Sequence, residues 1–407
     1  MCLHRVVQEV ALADNMVWYY GPHRARVPSR IATHLSVLGF EGGPAFSTAM
    51  TAQRASSTDV DEKLNTMDLL HSARATHCAD PRDHIYALLG LLPQRIQLDV
   101  DYEQPVEKVY MEATLVLMHE SQSLSWLVLC GGRHTNKYPS WVLPFIGTSA
   151  DPIANFYIPE YEFEARSRKQ RFYVQYDMPR SLRVLGCRVD TIVGVCKGAG
   201  RFRVSKEDEP IVLSSVAQWR RMYIDHLCNS RASELSTLTT VQPFWKCLHW
   251  DTWLEDSDAL SHTTVLEEVF SNGDSPVSLH KDLLHIYVPV WSVSSFFITT
   301  EGLIGIAYGT DWIEPGDDIY IISGCARAMC LRSRAQMIDA FIVVSPAVVH
   351  GKCGRRVVAC KRSSRAELVS CAGINNGETV LNRARQQHLN QSSNLQAEEP
   401  FREITLV

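Results

Sequence analysis

The residues best suited to metal chemistry lie near the end of the chain. Cys325 and Cys330 are followed by His350, Cys353 and Cys360, and thiolates and imidazoles are the usual ligands of zinc. Cys325 and Cys330 flank an expected strand, however, and side chains five residues apart on a strand project to opposite faces. The spacing therefore favours separate buried or surface thiols over a zinc site, and we expect no metal.

A glycine-rich segment has a composition that suits phosphate binding. Gly194, Gly198 and Gly200 surround Lys197, but the GxxxxGK[ST] order is missing and no helical pattern follows directly. The segment therefore does not predict a phosphate-binding loop.

Three tryptophans close together, Trp245, Trp250 and Trp253, could stack on nucleotide bases or pack against one another. Base stacking on a nucleic acid requires a positively charged groove, whereas this chain has a net charge of −5 and its 40 basic residues are well spread. The pattern favours a packed aromatic cluster, and we expect no nucleic-acid partner.

Short motifs of common enzymes are missing from the sequence. We find no GxSxG, no HExxH and no dinucleotide-binding glycine pattern. His71 and His77 lie near the apolar face of an expected helix, where a lone histidine more often packs than binds a ligand. We therefore assign no catalytic, metal-binding or cofactor-binding residue, and whether the chain is an enzyme stays open.

Composition indicates an ordinary globular protein. The chain has 407 residues, of which 45% are hydrophobic and 21% charged, enough for two or more cores. The strongest apolar run, residues 341–349, is interrupted by Pro346 and is far shorter than the about 20 residues that span a bilayer. Gln8 and Glu9 interrupt any signal-peptide core, and the 12 cysteines are scattered. We expect an intracellular protein with reduced thiols and no membrane contact.

The elements that would position any chemistry are organised around residues 79–110. Asp80 is a good N-cap, Pro81 suits the first helical position, and Asp83 stands where a capping box would close. Gly90 suits the left-handed residue that ends a helix. A second start signal at Pro105 precedes a long apolar stripe at helical spacing.

Four stretches, in order, resemble the signature of fungal heterokaryon-incompatibility proteins, which carry a HET domain. They are residues 7–13, 80–110, 139–142 and 296–351. The matching positions, which we interpret as structural, are Gln8, Glu9, Asp80, Pro81, Arg82, Asp83, Tyr86, Leu89, Gly90, Tyr102, Val109, Tyr110, Trp141, Gly302, Gly305, Pro315, Gly316, Asp317, His350 and Gly351.

The chain also departs from the family pattern. Arg5 replaces a tryptophan, and Pro144 and Phe145 replace the end of the family's PSWVPDW step. The resemblance further implies that most of the HET domain, which should precede Gln8, is missing through a truncated gene or a misassigned start codon.

The resemblance implies a function. We expect a truncated heterokaryon-incompatibility-type protein, an accessory or regulatory part of a fungal self/non-self recognition and cell-death factor. It would act on protein partners of unknown identity by interaction rather than catalysis. One alternative, from the likeness of HET domains to TIR folds, is an NAD-cleaving enzyme, although Glu9 alone is not a site. The other is a non-functional gene fragment.

The expected fold class is α+β: a helical layer plus a small C-terminal antiparallel β-barrel or curled sheet with a helical insertion. Strands at 171–195 are too few to be stable alone, so we expect them to pair with strands at 284–344, around helices inserted at 205–280. Individual strands are expected at 284–293, 295–299, 303–307, 318–322, 326–331 and 340–344. The expected segments are 1–20 (remnant of the HET domain), 21–61 (linker), 62–148 (helical region), 149–355 (β domain) and 356–407 (mostly disordered tail).

Overall fold

The structure is a computed structural model, and it describes about half of the chain in continuous segments. A few single positions between residues 66 and 74 and between 264 and 270, and residues 287, 288 and 337, are also described. The continuous segments are 15–20, 22–28, 78–92, 96–132, 138–145, 173–177, 180–200, 208–229, 237–248, 290–334, 339–350 and 401–407.

A helical region follows the organising stretch. Helix α1 covers Asp83–Tyr86 and a 3-10 turn covers Leu89–Leu91. Helix α2, Val106–Ser121, begins directly after Pro105 as predicted, and a further 3-10 turn covers Ser125–Leu129. The apolar stripe of α2 is buried, in agreement with its helical spacing.

Helix α1 is shorter than expected. The Asp80 carboxylate accepts the Arg82 N–H at 2.9 Å, as an N-cap would, but residues 80–82 form a turn and the α-helix starts only at Asp83. The backbone bonds here are of the tighter i→i+3 type, Asp83 N–H to the Asp80 carbonyl among them. Gly90 lies inside the second turn, so the prediction that it ends the helix is wrong.

Among the described residues, ten strands form two sheets. Strands β1 (Asn15–Tyr20) and β2 (His23–Pro28) make an antiparallel hairpin. The larger sheet contains β3 (Val174–Asp177), β4 (Ser181–Cys196), β5 (Ser294–Thr299), β6 (Ile304–Tyr308), β7 (Asp318–Ile322), β8 (Ala328–Ser333), β9 (Ala340–Val349) and β10 (Arg402–Leu406).

Six strands of the larger sheet pair in a closed ring. The order is β4, β5, β6, β9, β8, β7 and back to β4, with antiparallel neighbours throughout. Strand β4 pairs with β7 over residues 186–191 and with β5 over 192–196, and register shifts lie between Arg188 and Asp190 and between Ile192 and Gly194. Such bulges bend a strand. The expected pairing of residues 182–195 with strands beyond 283 is confirmed, as is the α+β class.

The helical insertion packs on the outside of β5 and β6. Helices α3 (Glu209–Asn229) and α4 (Thr237–Leu248) form a core with Trp219, Trp245 and Phe296, all of which are fully buried. Ser214 and Ser215 resemble helix-capping residues, but α3 does not start there. It starts earlier because the Asp208 carbonyl accepts the first amides, and Ser215 instead donates to the Ile211 carbonyl.

One other expectation about secondary structure was wrong. Residues 287–288 and 290–292 are helical rather than extended, and the rings of Tyr287 and Trp291 stack one helical turn apart, with centroids 5.1 Å from each other. Strand β2 lies in the expected linker. Strand β10 lies at the end of the segment that was expected to be mostly disordered. Residues 402–406 are ordered as a strand because Ile404 and Leu406 are buried against the sheet. Residues 351–400, most of that tail, are outside the described residues.

Candidate functional site

The organising stretch forms a compact charged cluster. The Asp80 carboxylate accepts hydrogen bonds from Arg82 Nε at 2.9 Å and from Nη2 at 2.8 Å. Arg82 Nη1 in turn donates to the backbone carbonyls of Tyr102 and Gln104, the latter at 2.8 Å. One arginine therefore joins the turn before α1 to the loop before α2.

Three tyrosines strengthen the same connection. The Tyr102 hydroxyl donates to Asp83 Oδ1 at 2.6 Å, and its ring lies 5.4 Å from the Arg82 guanidinium carbon. The rings of Tyr86 and Tyr102 meet edge to face at 5.3 Å, while the Tyr86 hydroxyl bonds to the Asp101 backbone. The Tyr110 hydroxyl, from α2, donates to the Pro81 carbonyl at 2.7 Å.

The cluster shifts the proton affinity of its members. The hydrogen bond from Arg82 lowers the pKa of Asp80. The hydrogen bond to Asp83, together with burial, raises the pKa of Tyr102 to about 12. Burial raises the pKa of Tyr110 further. At neutral pH the cluster thus holds an ionised Asp80 carboxylate beside the Arg82 guanidinium, and the Tyr102 and Tyr110 hydroxyls are neutral.

This arrangement holds residues 80–86 and residues 101–110 together. The polar groups of this cluster are bonded to one another or to backbone carbonyls, so they fix the backbone on both sides of the connection. They belong to Asp80, Arg82, Asp83 and Tyr102. Tyr102 is nevertheless 49% exposed and nearby Val100 is 58% exposed. An apolar and aromatic surface therefore lies next to the charged cluster. We name it the Val100–Tyr102 surface.

A second group of predicted residues, around Asp317, holds the turn before β7 against the sheet. Asp317 is 1% exposed, and its carboxylate accepts hydrogen bonds from Arg332 Nε at 2.7 Å, Arg332 Nη2 at 3.0 Å and the Glu314 N–H at 2.8 Å. The turn that contains Pro315 and Gly316 is tied to β4, since the Gly316 N–H donates to the Ile192 carbonyl. The turn at Pro315 and Gly316 therefore has a structural role.

Two glycines of the β region sit where a side chain does not fit. Gly302 has φ +78 in the turn between β5 and β6. A Cβ on Gly305 would overlap the buried Phe297 ring and lie 2.6 Å from the Val348 carbonyl oxygen. His350 continues this region, its N–H donating to the Ile304 carbonyl at 2.9 Å.

Trp141 connects the helical region to the sheet. It is fully buried, and its indole N–H donates to the Arg180 carbonyl at 3.2 Å. The neighbouring Ser140 hydroxyl accepts the Val343 N–H and donates to the Val407 carbonyl. Leu89 and Val109 also pack in this core.

The structure does not gather the predicted sites into one place. The two regions described above, the charged cluster and the Asp317 turn, are separate sets of contacts. Gln8, Glu9 and Gly351 lie outside the described residues, and so do the possible ligands Cys353 and Cys360. Within the described part of the chain, no three His, Cys, Asp or Glu side chains are placed to share a metal ion.

Sequence inspection missed one open groove. It lies between β4 and α3 with a volume of about 460 Å³. Val193 and Ile298 form apolar walls, and Arg221, Asp225 and His226 contribute polar groups. Gly194 permits this approach, because a Cβ there would overlap the end of Met222. The sequence signal for this groove was a glycine, Gly194, within an expected strand.

None of the described helices combines the length and hydrophobicity needed for crossing a membrane. Comparison of the chain with protein-family models, with curated proteins and with solved structures gave no match in any of the three.

Proposed function

We propose that this chain is the accessory, regulatory region of a heterokaryon-incompatibility-type protein, and that it acts in fungal self/non-self recognition and cell death by binding a protein partner. The proposal includes an intracellular location. It also treats the closed ring of strands as a small β-barrel that carries the helical region.

One observation carries the proposal. The residues of the family-like motif at 80–86 and those at 101–110, about 20 positions apart in sequence, meet in the single cluster of Asp80, Arg82, Tyr102 and Tyr110. Because these residues bond to one another, there is a structural reason for all of them to occur together in one sequence.

The same geometry favours interaction over catalysis. A general acid or base needs a proton-exchanging group in reach of a substrate, whereas the carboxylates of Asp80 and Asp83 accept hydrogen bonds from Arg82 and Tyr102. The Val100–Tyr102 surface combines an exposed aromatic side chain and an exposed aliphatic side chain, and aromatic residues are enriched at protein interfaces.

The test is inducible production, in a filamentous fungus, of this chain joined at its amino end to an intact HET domain, with cell death scored by uptake of a membrane-impermeant dye. Wild-type chain should raise the fraction of stained cells, and a Val100→Ser, Tyr102→Ser double variant should not. Tyr102→Phe is the matched control, because it keeps the ring and removes only the hydroxyl. Equal staining with the wild type and an empty vector would refute the proposal.

A parallel assay separates binding from enzymatic action. Purified chain is incubated with NAD, and nicotinamide release is measured against a heat-treated sample. We expect no difference between the two. Release above the heated control would replace the interaction proposal with NAD cleavage.

A further inference from the structure

The groove between β4 and α3 takes no part in the protein interaction proposed above. We name it the α3 groove. Val193 and Ile298 line it on the sheet, and Arg221, Met222 and Asp225 line it on the helix. Its volume of about 460 Å³ lies within the range of about 300–1,000 Å³ that is typical of small-molecule sites. The groove is therefore large enough to hold a small molecule.

The sheet side of the α3 groove is apolar and is shaped by a bulge. The pairing of β4 with β5 passes from Ile192 opposite Thr299 to Gly194 opposite Ile298, so Val193 has no partner residue in β5. A bulge redirects a side chain and is common next to active sites. Val193 is 53% exposed, although it lies in the interior of a strand. It thus offers an aliphatic surface to a ligand.

Glycines let the helix lie close to the sheet. A Cβ on Gly194 would lie 2.4 Å from Met222 Cε, and a Cβ on Gly302 would lie 3.1 Å from Nε2 of His226, which also lines the groove. Ile298, opposite Gly194, is 3% exposed. The floor of the α3 groove is therefore a packed apolar layer.

The helix side of the α3 groove carries opposite charges one helical turn apart. The lining positions 218, 221, 222, 225 and 226 recur at helical spacing and share one face of α3. Arg221 and Asp225 are both exposed, and side chains at i and i+4 have Cβ atoms about 5–6 Å apart. The groove thus presents a cation and an anion beside an apolar floor.

This combination of charges narrows the class of ligand. A multiply charged anion, such as a nucleotide, would bring its phosphates close to the Asp225 carboxylate, and an uncharged apolar molecule would use neither charge. A dipeptide has one ammonium and one carboxylate, which are at most about 7 Å apart because each residue spans about 3.3–3.6 Å. That separation matches the spacing of Arg221 and Asp225.

We propose that the α3 groove binds a dipeptide with aliphatic side chains. The Arg221 guanidinium, which has several N–H donors, binds the terminal carboxylate in addition to its contact within the chain. The Asp225 carboxylate binds the terminal ammonium, and the aliphatic side chains cover Val193 and Met222. The site shares no residue with the Val100–Tyr102 surface, so it does not depend on the proposed function.

Titration of the whole chain with leucyl-leucine, followed by saturation-transfer nuclear magnetic resonance, tests the proposal. Two capped probes separate the two ends of the ligand: N-acetyl-leucyl-leucine has no ammonium, and leucyl-leucinamide has no carboxylate. We expect wild type to bind leucyl-leucine and to bind each capped probe about fivefold more weakly, since contacts between exposed charges are modest. These probes need no substitution, so the comparison does not depend on the folding of a variant.

Two substitutions assign each end of the ligand to one side chain. Asp225→Asn should weaken the binding of leucyl-leucine about fivefold and leave that of N-acetyl-leucyl-leucine unchanged. Arg221→Gln should weaken the binding of leucyl-leucine by a similar factor and leave that of leucyl-leucinamide unchanged. Lys108→Gln combined with Glu112→Gln is the matched control, because it removes an exposed pair of opposite charges at i and i+4 of α2, 3.7 Å apart. This control should bind all three probes as wild type does.

Three results would overturn the proposal. The first is no binding of leucyl-leucine to wild type. The second is equal affinity of wild type for all three probes, which would mean that neither end is recognised. The third is a loss in Asp225→Asn or Arg221→Gln that is the same for all three probes, because the substituted side chain would then not bind the end assigned to it.

Discussion

The buried carboxylate of Asp317 offers the sharpest test of how the sheet is held together. It is the acceptor for two nitrogen atoms of Arg332 and for the backbone N–H of Glu314, at 2.7 to 3.0 Å. Asp317→Ala removes all three acceptor contacts and leaves the guanidinium with only the Trp312 carbonyl and the exposed Glu314 carboxylate. The turn that is tied to β4 through Gly316 loses its internal support at the same time.

The expected loss in the free energy of unfolding follows from how deeply Asp317 and Arg332 are buried. Removing one partner of a buried ion pair costs about 3–5 kcal/mol, mainly because the other charge stays without compensation. The Arg332 side chain is 35% exposed, whereas that of Asp317 is 2% exposed. Since water can reach part of the guanidinium, we expect the lower end of that range, about 3 kcal/mol.

The assay is urea unfolding of wild type and variant at neutral pH, followed by tryptophan emission. Glu314→Gln is the matched control, because Glu314 also faces Arg332, at 3.5 Å, but is 63% exposed. Its substitution should cost about 0.5 kcal/mol or less. Equal losses for the two variants would show that burial does not decide the strength of these contacts, and the reasoning would be refuted.

Three further outcomes are expected from the same unfolding assay. Tyr110→Phe should cost about 1 kcal/mol, because it removes the hydrogen bond to the Pro81 carbonyl and keeps the ring; no change would mean that this bond does not hold the motif. Arg82 lowers the pKa of Asp80 below its ordinary value of 3.8, so the stability from this pair is present above that pH and is lost as the pH falls through the lowered pKa. The advantage of wild type over Asp80→Asn should therefore be constant near neutral pH and shrink below about pH 4; an advantage that is unchanged in acid would count against the pair. Gly305→Ala should cost about 2 kcal/mol or more, since a carbonyl oxygen lies 2.6 Å from the new Cβ, and a variant as stable as wild type would disprove the close packing.

The sequence was most informative where local signals and tertiary contacts agree. Pro105 and the apolar stripe after it predict α2, and strand β7 has the bounds expected from the turn residues around it, Asp318–Ile322. Pro315 and Gly316 are residue types typical of tight turns. The structure has a turn there, and the φ of +99 at Gly316 is one that favours glycine.

The sequence was least informative where distant contacts decide the structure. The apolar run at 284–293 has no clear period, so strand and helix could not be distinguished. Strand β10 has no local support at all, since it follows a polar segment and is stabilised by β4 and β9. The groove beside α3 depends on the packing of Met222 over Gly194, which no local pattern reveals.

The cluster of Asp80, Arg82 and Tyr102 was foreseeable in part. Its residues were identified by their resemblance to a motif, and their structural role was expected. The partners were not, because a bond between Arg82 and a backbone carbonyl at position 104 depends on the path of a loop rather than on side-chain type.

The closed ring of strands also determines when the protein can fold during its synthesis. The half of β4 that pairs with β5 leaves the ribosome about 100 residues before its partner, a delay on the order of 5–20 s at about 5–20 residues per second. Helices α3 and α4 are local and can form in that interval, but Ile192 and Val195 must wait without a neighbouring strand. Slow translation of residues 197–293 therefore lengthens the period in which the nascent chain is most open to aggregation, and rapid translation shortens it.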